Sequence, residues 1–325
     1  QIIPGVTKDA VFRKGHIITK EDIPVLLSVG KEHIYIWEKD EHMLHENEAA
    51  QILYEMCRNE HMHPSAVKEG KIELIADCDG LFKVDREKLR KVNSLGEMMI
   101  ATRHGNTFVK KGDKLAGTRI IPLVIEKEKM ERAKEICNDG SILEIKPLQP
   151  KKAAILTTGS EVYHGRIQDK FTPVLVEKLK EYGSEVIFHE IYDDDHEAIT
   201  KGCLSAIEQG AEIVLCTGGM SVDPDDKTPL AIKNTGARIV SYGAPVLPGA
   251  MFLVSYYEYK DKTIPIVGLP GCVMYAKRTI FDLALPRLLA DDFITADELA
   301  LLGEGGLCLN CPVCTYPNCG FGKGW

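Results

Sequence analysis

With 325 residues, 44% hydrophobic and 27% charged, the chain has the composition of a globular protein and enough length for two or three domains. Its formal net charge of −8 argues against nucleic acid as the principal partner, because phosphate backbones are gripped by basic surfaces. No apolar run reaches the roughly 18 to 20 residues that a bilayer span needs, and Gln1-Ile2-Ile3-Pro4 does not open a basic-then-apolar leader. These features predict a cytoplasmic protein with no membrane partner.

The first elements fall in residues 1–40. Thr19 reads as the N-cap of a short helix ending near Gly30, and Lys31-Glu32-His33-Ile34-Tyr35-Ile36-Trp37 reads as an alternating strand. Residues 41–150 change character. A helix is predicted over Glu46 to Cys57, with Ala49, Ile52, Leu53 and Met56 on one face. Short strands follow at 71–76, 80–84, 97–102 and 120–125, separated by Gly, Asp and Asn turns. The charged helix 126–136 and the Pro147 to Pro150 segment read as a linker closing this β-rich module.

From Lys152 the pattern becomes strand, glycine turn, helix, repeated. Strands are predicted at 153–156, 185–192, 212–216 and 263–267, and helices at 171–182, 197–209 and 273–289. Such alternation predicts, over residues 151–290, an α/β domain with a doubly wound, mostly parallel sheet and helices on both faces. An N-terminal α+β, β-rich region precedes it and a short Cys-rich tail, 291–325, follows.

Ligands of open parallel sheets bind outside the carboxyl ends of the strands. Three loops there have suitable composition: Thr157-Thr158-Gly159-Ser160-Glu161, Thr217-Gly218-Gly219-Met220-Ser221 and Gly268-Leu269-Pro270-Gly271-Cys272. Glycine lets a phosphate or a flat heterocycle approach the backbone, and the hydroxyls of Thr158, Ser160 and Ser221 add donors. Acidic residues flank them: Glu161, then Asp193-Asp194-Asp195, then Asp223, Asp225 and Asp226. Carboxylates beside an anion site fit Mg²⁺ coordination or hydrogen bonds to the N–H groups of a heterocycle, against the plain alternative of solvated loop acids.

In order, these loops together with Gly165-Arg166-Ile167-Gln168-Asp169, Pro248-Gly249 and Gly268-Leu269-Pro270-Gly271 resemble the molybdopterin-binding domain of molybdenum cofactor biosynthesis proteins. That family includes molybdopterin adenylyltransferases, molybdenum insertases (molybdopterin molybdotransferases) and gephyrin-type fusions. The resemblance implies a homo-oligomeric domain that binds molybdopterin or adenylylated molybdopterin with Mg²⁺, alongside other cofactor biosynthesis proteins. On motif alignment Glu161 and Asp226 fall on acidic, catalytic positions. Thr158, Gly159, Ser160, Gly218, Gly219, Met220, Ser221, Pro270 and Gly271 fall on ligand-binding loops. The chain departs from the insertase pattern where Pro248-Gly249-Ala250-Met251 replaces a Pro-Gly-Lys-Pro turn. A lysine there would supply a cation for molybdate or phosphate, so Ala250 weakens the insertase expectation. Lys227 and Arg278 are candidate substitutes, with surface solvation as the alternative.

Six cysteines, Cys57, Cys78, Cys137, Cys203, Cys216 and Cys272, are scattered as reduced core thiols would be. The tail thiols Cys308, Cys311, Cys314 and Cys319 have spacings suited to a metal, with an iron-sulfur cluster or Zn²⁺ as the alternatives to an unliganded tail. His42, His45, His61 and His63 read as solvent-facing or core-satisfied. The expected activity is molybdotransferase-like or adenylyltransferase-like transfer. Its rivals are a noncatalytic pterin, metal or redox sensor and a nucleotide pyrophosphatase of the competence-protein type.

Overall fold

The computed structural model describes residues 12, 18–34 and 40–324. Contacts divide the chain into two units, Gln1–Met43 and Leu44–Trp325. In the first, Thr19 opens a short 3-10 turn, Lys20–Asp22, which runs into the helix Ile23–Ser28. The Thr19 N–H donates to Asp22 Oδ2 at 2.9 Å, so the cap expected at Thr19 forms through its acidic partner. Residues 31–34 form no strand, and the rest of the strand expected there, 35–37, lies outside the described residues.

The second unit opens with the helix Glu46–Cys57, which buries Ala49, Ala50, Leu53 and Met56. These residues pack against a four-stranded antiparallel sheet in the order Met62–Pro64, Ile72–Ala76, Lys114–Ile120, Met98–Thr102. A three-stranded sheet orders Thr107–Val109, Gly80–Val84 and Leu143–Pro147. The helix expected at 126–136 as part of a linker is therefore a piece of the module. Met130 and Ala133 of the helix Lys127–Ile136 are fully buried, and Leu143–Pro147 is a paired strand, because both carry apolar residues that complete the module core. The strand expected at 120–125 is split, with Ile120 ending one strand and Val124–Glu126 forming another. The central strand is Lys114–Ile120, and Pro122 lies in the bend beyond it, where its missing N–H costs no ladder bond.

The α/β domain is built on one six-stranded sheet in the order Glu185–Tyr192, Lys152–Thr158, Ile213–Thr217, Lys262–Leu269, Leu253–Tyr259, Arg238–Tyr242. The first four strands are mutually parallel, and Leu253–Tyr259 runs antiparallel to both of its neighbours. Period-two alternation feeds two cores. Ala153, Ile155, Ile213 and Leu215 face the helices Phe171–Lys180 and Ile280–Leu289. Ala154, Leu156, Val214 and Cys216 face His196–Glu208 and Thr228–Asn234. Each fully buried Leu or Ile contributes about 1.5 to 3 kcal/mol, so burial on both faces makes this sheet a main source of the domain's stability. The helix expected over 273–289 is two elements. A 3-10 turn, Gly271–Met274, ends before Thr279, whose capping box with Asp282 starts the helix Ile280–Leu289.

Asp292, just past that helix, ties the module to the domain. It accepts hydrogen bonds from Lys83 (2.9 Å) and Lys146 (2.8 Å) of the module and from Arg287 (2.7 Å). The tail then packs back onto the domain, with Phe321 buried in the core that Ile280 and Leu285 line. Among the described residues no helix is long and apolar enough to cross a membrane.

Candidate ligand site

The chain reverses its direction of sheet growth at Lys152–Thr158. One connection leads from it to Glu185–Tyr192 on one side, and the next strand in sequence, Ile213–Thr217, pairs on the other. That switch point leaves a crevice beyond the carboxyl ends of the strands. A cavity of about 700 Å³ lies there, lined by Thr157 to Val162, Ile167 to Phe171, Asp193, Asp194, Gly218, Gly219, Asp223 to Asp226 and Met274.

Two glycines let its walls close. A Cβ on Gly218 would stand 2.1 Å from the Thr158 carbonyl oxygen, and one on Gly219 2.8 Å from the Thr228 hydroxyl, while φ is +83° and +53°. Only glycine fits both demands. Thr158 braces the same contact: its hydroxyl donates to the Thr217 carbonyl at 3.1 Å and lies 2.9 Å from the Thr228 hydroxyl. Gly159, at φ +131°, turns the chain into the single helical turn Ser160–Tyr163.

The electrostatics are not those of a ready-made anion hole. Seven carboxylates line the cavity, Glu161, Asp169, Asp193, Asp194, Asp223, Asp225 and Asp226, against one lysine, Lys170. Helix-terminal donors that would greet an anion are already taken. The Ser160 N–H donates to Asp194 at 3.0 Å, and the N–H groups of Phe171 and Thr172 donate to Asp169 at 2.8 and 3.1 Å. Burial raises the Asp194 carboxyl above its usual range, and the negative charges of Asp193, Glu161 and Asp226 add to the rise against the Ser160 hydrogen bond. Asp169 shifts the other way: burial opposes it, but hydrogen bonds from Thr172, Phe171 and Thr157 hold it low. One oxygen of Asp226, Oδ2, is buried and has no hydrogen-bond partner among the described residues. A buried, unpaired carboxylate oxygen is costly unless something else satisfies it.

The structure gathers Glu161, Asp226, Thr158, Gly159, Ser160, Gly218 and Gly219 around this cavity. It does not gather the rest of the predicted set. Met220 is buried under the sheet, its thioether filling the space a side chain on Gly268 would need, so it is a core residue. Ser221 is exposed and outside the lining, and its carbonyl accepts from the Tyr242 hydroxyl. Pro270 is buried and Gly271 exposed, and the turn they open presents Met274 to the cavity instead. Asp169 and Asp194 join the site through hydrogen bonds to helix-start amides, which form only once the strand ends converge.

The substitute cations are also elsewhere. Lys227 is hydrogen-bonded to the Pro224 carbonyl, and Arg278 pairs with Asp282 (2.8 Å) and lies over the Tyr316 ring. Among the described residues no three His, Cys, Asp or Glu side chains form a metal-ligating group. The four tail thiols thus do not converge as their spacing suggested. Cys308 and Cys319 are half-buried against the domain core, whereas Cys311 and Cys314 are exposed. Packing of Tyr316 and Phe321 dictates the path of the tail.

Residues 154–290 match the family described as "Probable molybdopterin binding domain". This α/β domain belongs to that molybdopterin-binding family. Residues 1–38 match a second family, described only as a domain of unknown function. The molybdopterin-binding domain is 27% identical over 135 residues to a molybdopterin adenylyltransferase of Pyrococcus furiosus, covering 42% of this chain and 76% of the relative. A molybdopterin molybdenumtransferase of Nostoc sp. is 26% identical over 196 residues, 58% of this chain and 44% of its own. A putative competence-damage inducible protein of Bacillus subtilis is 32% identical over 89 residues, 27% and 21% of the two chains. The chain thus spans less than half the length of these last two relatives. Among solved structures, the tungsten cofactor synthesizing protein MoaB of Pyrococcus furiosus aligns at 21% identity and a TM-score of 0.34, over 38% of this chain and 84% of that one.

Proposed function

We propose that the molybdopterin-binding domain binds the phosphate end of molybdopterin or of adenylylated molybdopterin in the acid-lined cavity, with Mg²⁺ as the shared cation. The observation that carries this reading is the orphaned Asp226 oxygen in a cavity with seven carboxylates and one lysine. Such a cavity repels a bare phosphate. A divalent cation reverses that, and Mg²⁺ is commonly held by only one or two carboxylates while substrate phosphates and waters supply its other ligands. A site without three converging protein ligands therefore still suits it. Asp226, with Asp194 or Glu161, would hold the ion, which would neutralise phosphate charge. Thr158, Gly218 and Gly219 keep the strand-end walls close enough for a flat heterocycle to lie against backbone.

The chemistry this arrangement supports is adenylyl transfer, or hydrolysis of the same phosphate linkage. Positioning and charge neutralisation supply the rate, and no covalent nucleophile is needed. Alanine at position 250, with no residue of 248–251 in the cavity lining, favours this over molybdate insertion. A homo-oligomer accompanies this reading and is checked by sedimentation.

The test is calorimetric titration of both pterins, with and without Mg²⁺, into the wild type and Asp226→Asn. The proposal expects Mg²⁺-dependent binding by the wild type, and in the variant a weaker affinity that Mg²⁺ no longer strengthens. Metal-independent binding of equal strength in both proteins would remove Asp226 and the cation from the account.

A further inference from the structure

A second cavity system lies between the β-rich module and the tail, away from the strand ends. One part, about 600 Å³, is lined by Arg86, Arg90, Arg103, His104 and Lys323 together with Asn93, Ser94 and Thr102, and no carboxylate is among its described lining residues. A smaller part, about 320 Å³, shares Arg103, His104 and Lys323 and adds Asn318. This is the inverse of the strand-end cavity, in a chain whose net charge is −8. Such an accumulation of cations is not a by-product of overall composition.

The tail is built to hold Lys323 there. A Cβ on Gly322 would meet Leu283 at 2.3 Å, and one on Gly324 would meet the Leu301 carbonyl oxygen at 2.2 Å, so glycine on either side lets the chain pass beneath the helices. Arg86 Nη2 donates to the Gly324 carbonyl at 2.9 Å, and Gly322 N–H to the Gly305 carbonyl at 3.0 Å. Arg103, held by Asp113 at 2.8 Å, also reaches Asn318 of the tail at 3.4 Å. Burial, with the charge of Arg103 beside it, lowers the Lys323 ammonium to about 8, and burial, with Lys323 and Arg86 nearby, lowers the His104 imidazole. Arg90 is paired with Glu87 and Arg103 with Asp113, whereas Lys323 has no carboxylate partner among the described residues, so a partly desolvated ammonium in this recess is a charge that an added anion would satisfy. Among the described residues, the lining of these two parts holds charged and hydrogen-bonding groups without Phe, Tyr or Trp. It suits a small oxyanion rather than a nucleotide.

We propose that Arg103, His104 and Lys323 form a binding site for a compact, doubly charged tetrahedral oxyanion, separate from the pterin cavity. Arg103 offers the N–H groups that Asp113 and Asn318 leave over, Lys323 a point charge, and His104 a ring N–H, with the Thr102 hydroxyl as a neutral donor within the same recess. Phosphate and molybdate share this chemistry, so both are titrated.

The experiment is isothermal titration of inorganic phosphate and of sodium molybdate, separately, into the full chain and its variants at one pH and ionic strength. The wild type is expected to bind at least one of the two. Lys323→Gln is expected to weaken that binding about tenfold or more, as lost charge-assisted hydrogen bonds do, and Lys323→Arg to restore most of it. His104→Gln serves as a second variant should the tail of Lys323→Gln fail to pack. In the wild type the His104 ring resonances should move on addition of the oxyanion. Asp226→Asn, in the other cavity, should leave oxyanion affinity unchanged while altering pterin chemistry, which keeps failure of this site distinct from failure of the pterin reading. Absence of binding by both oxyanions, unchanged affinity in both Lys323→Gln and His104→Gln, or equal weakening in Asp226→Asn would each overturn the assignment.

Discussion

Asp194 is held in place at an electrostatic cost. Burial and three neighbouring carboxylates raise its pKa above the unfolded value, so the folded chain takes up a proton more readily than the unfolded one. The sign follows: the stability it contributes falls as pH rises through the carboxylate range and is least at neutral pH. Asp194→Asn keeps an oxygen for the Ser160 N–H and removes the charge. It should stabilise the fold at pH 7 by a few tenths to about 1 kcal/mol, since the group is largely solvated, and the gain should shrink toward pH 4. Thermal unfolding at both pH values checks this; equal effects at both would sink the electrostatic account. Gly218→Ala tests the neighbouring turn. With a Cβ 2.1 Å from a carbonyl oxygen at φ +83°, it should cost on the order of 3 kcal/mol, seen as a lower denaturant midpoint. At this scale the motifs marked Gly218 and Gly219 without the reason for them, and marked Gly271 equally, where a Cβ would meet nothing within 4 Å. Gly218 and Gly219 are required by strand-to-strand contact, which also exposes backbone to the cavity. Met220 and Pro270, beside such glycines in sequence, were read as loop residues and are buried, because a motif does not say which side of the sheet a side chain takes.

At the scale of elements, the parallel half of the sheet was legible because its strands are short apolar runs followed by glycine turns and amphipathic helices. The antiparallel edge was not. Arg238–Tyr242 alternates only weakly and is mostly exposed, and Leu253–Tyr259 carries Ser255 and Glu258 among its apolar residues. The same difficulty hid Lys114–Ile120, whose Lys, Gly, Thr and Arg mask a central strand. Asp292, in the turn after Ile280–Leu289, joins elements that no local pattern connects. Burial opposes its ionisation, but hydrogen bonds from Lys146 and Lys83 and the charge of Arg287 win, holding it down to about 2. A depressed carboxylate stabilises the fold above its unfolded pKa, and that contribution is lost as pH falls from about 4 to about 2. Asp292→Asn should therefore cost roughly 2 to 3 kcal/mol at pH 7, below the full cost of breaking a buried pair because Lys146 keeps 33% of its side chain exposed. Its destabilisation should largely disappear at pH 2. A cost that persists there would mean packing, not charge, is what Asp292 supplies.

On the scale of the whole molecule, the chain separates its charges. Carboxylates collect at the strand ends of the molybdopterin-binding domain, and cations collect where the β-rich module meets the tail. Sequence order made the domain recognisable because its loops recur in a fixed succession. It gave no access to the basic recess, whose members come from residues 86–104 and 323 and meet only in the folded chain. It also overstated the tail, where thiol spacing suggested a metal knuckle and aromatic packing sets the path. The claim on which the rest depends is that the acidic cavity takes a phosphate-bearing pterin through a divalent cation. Its most direct test is the affinity of the wild-type chain for adenylylated molybdopterin, measured by calorimetry with Mg²⁺ and again with excess chelator. The account predicts binding with Mg²⁺ and at least a tenfold loss, about 1.4 kcal/mol, with chelator. Equal affinity under both conditions, or no binding under either, would contradict it.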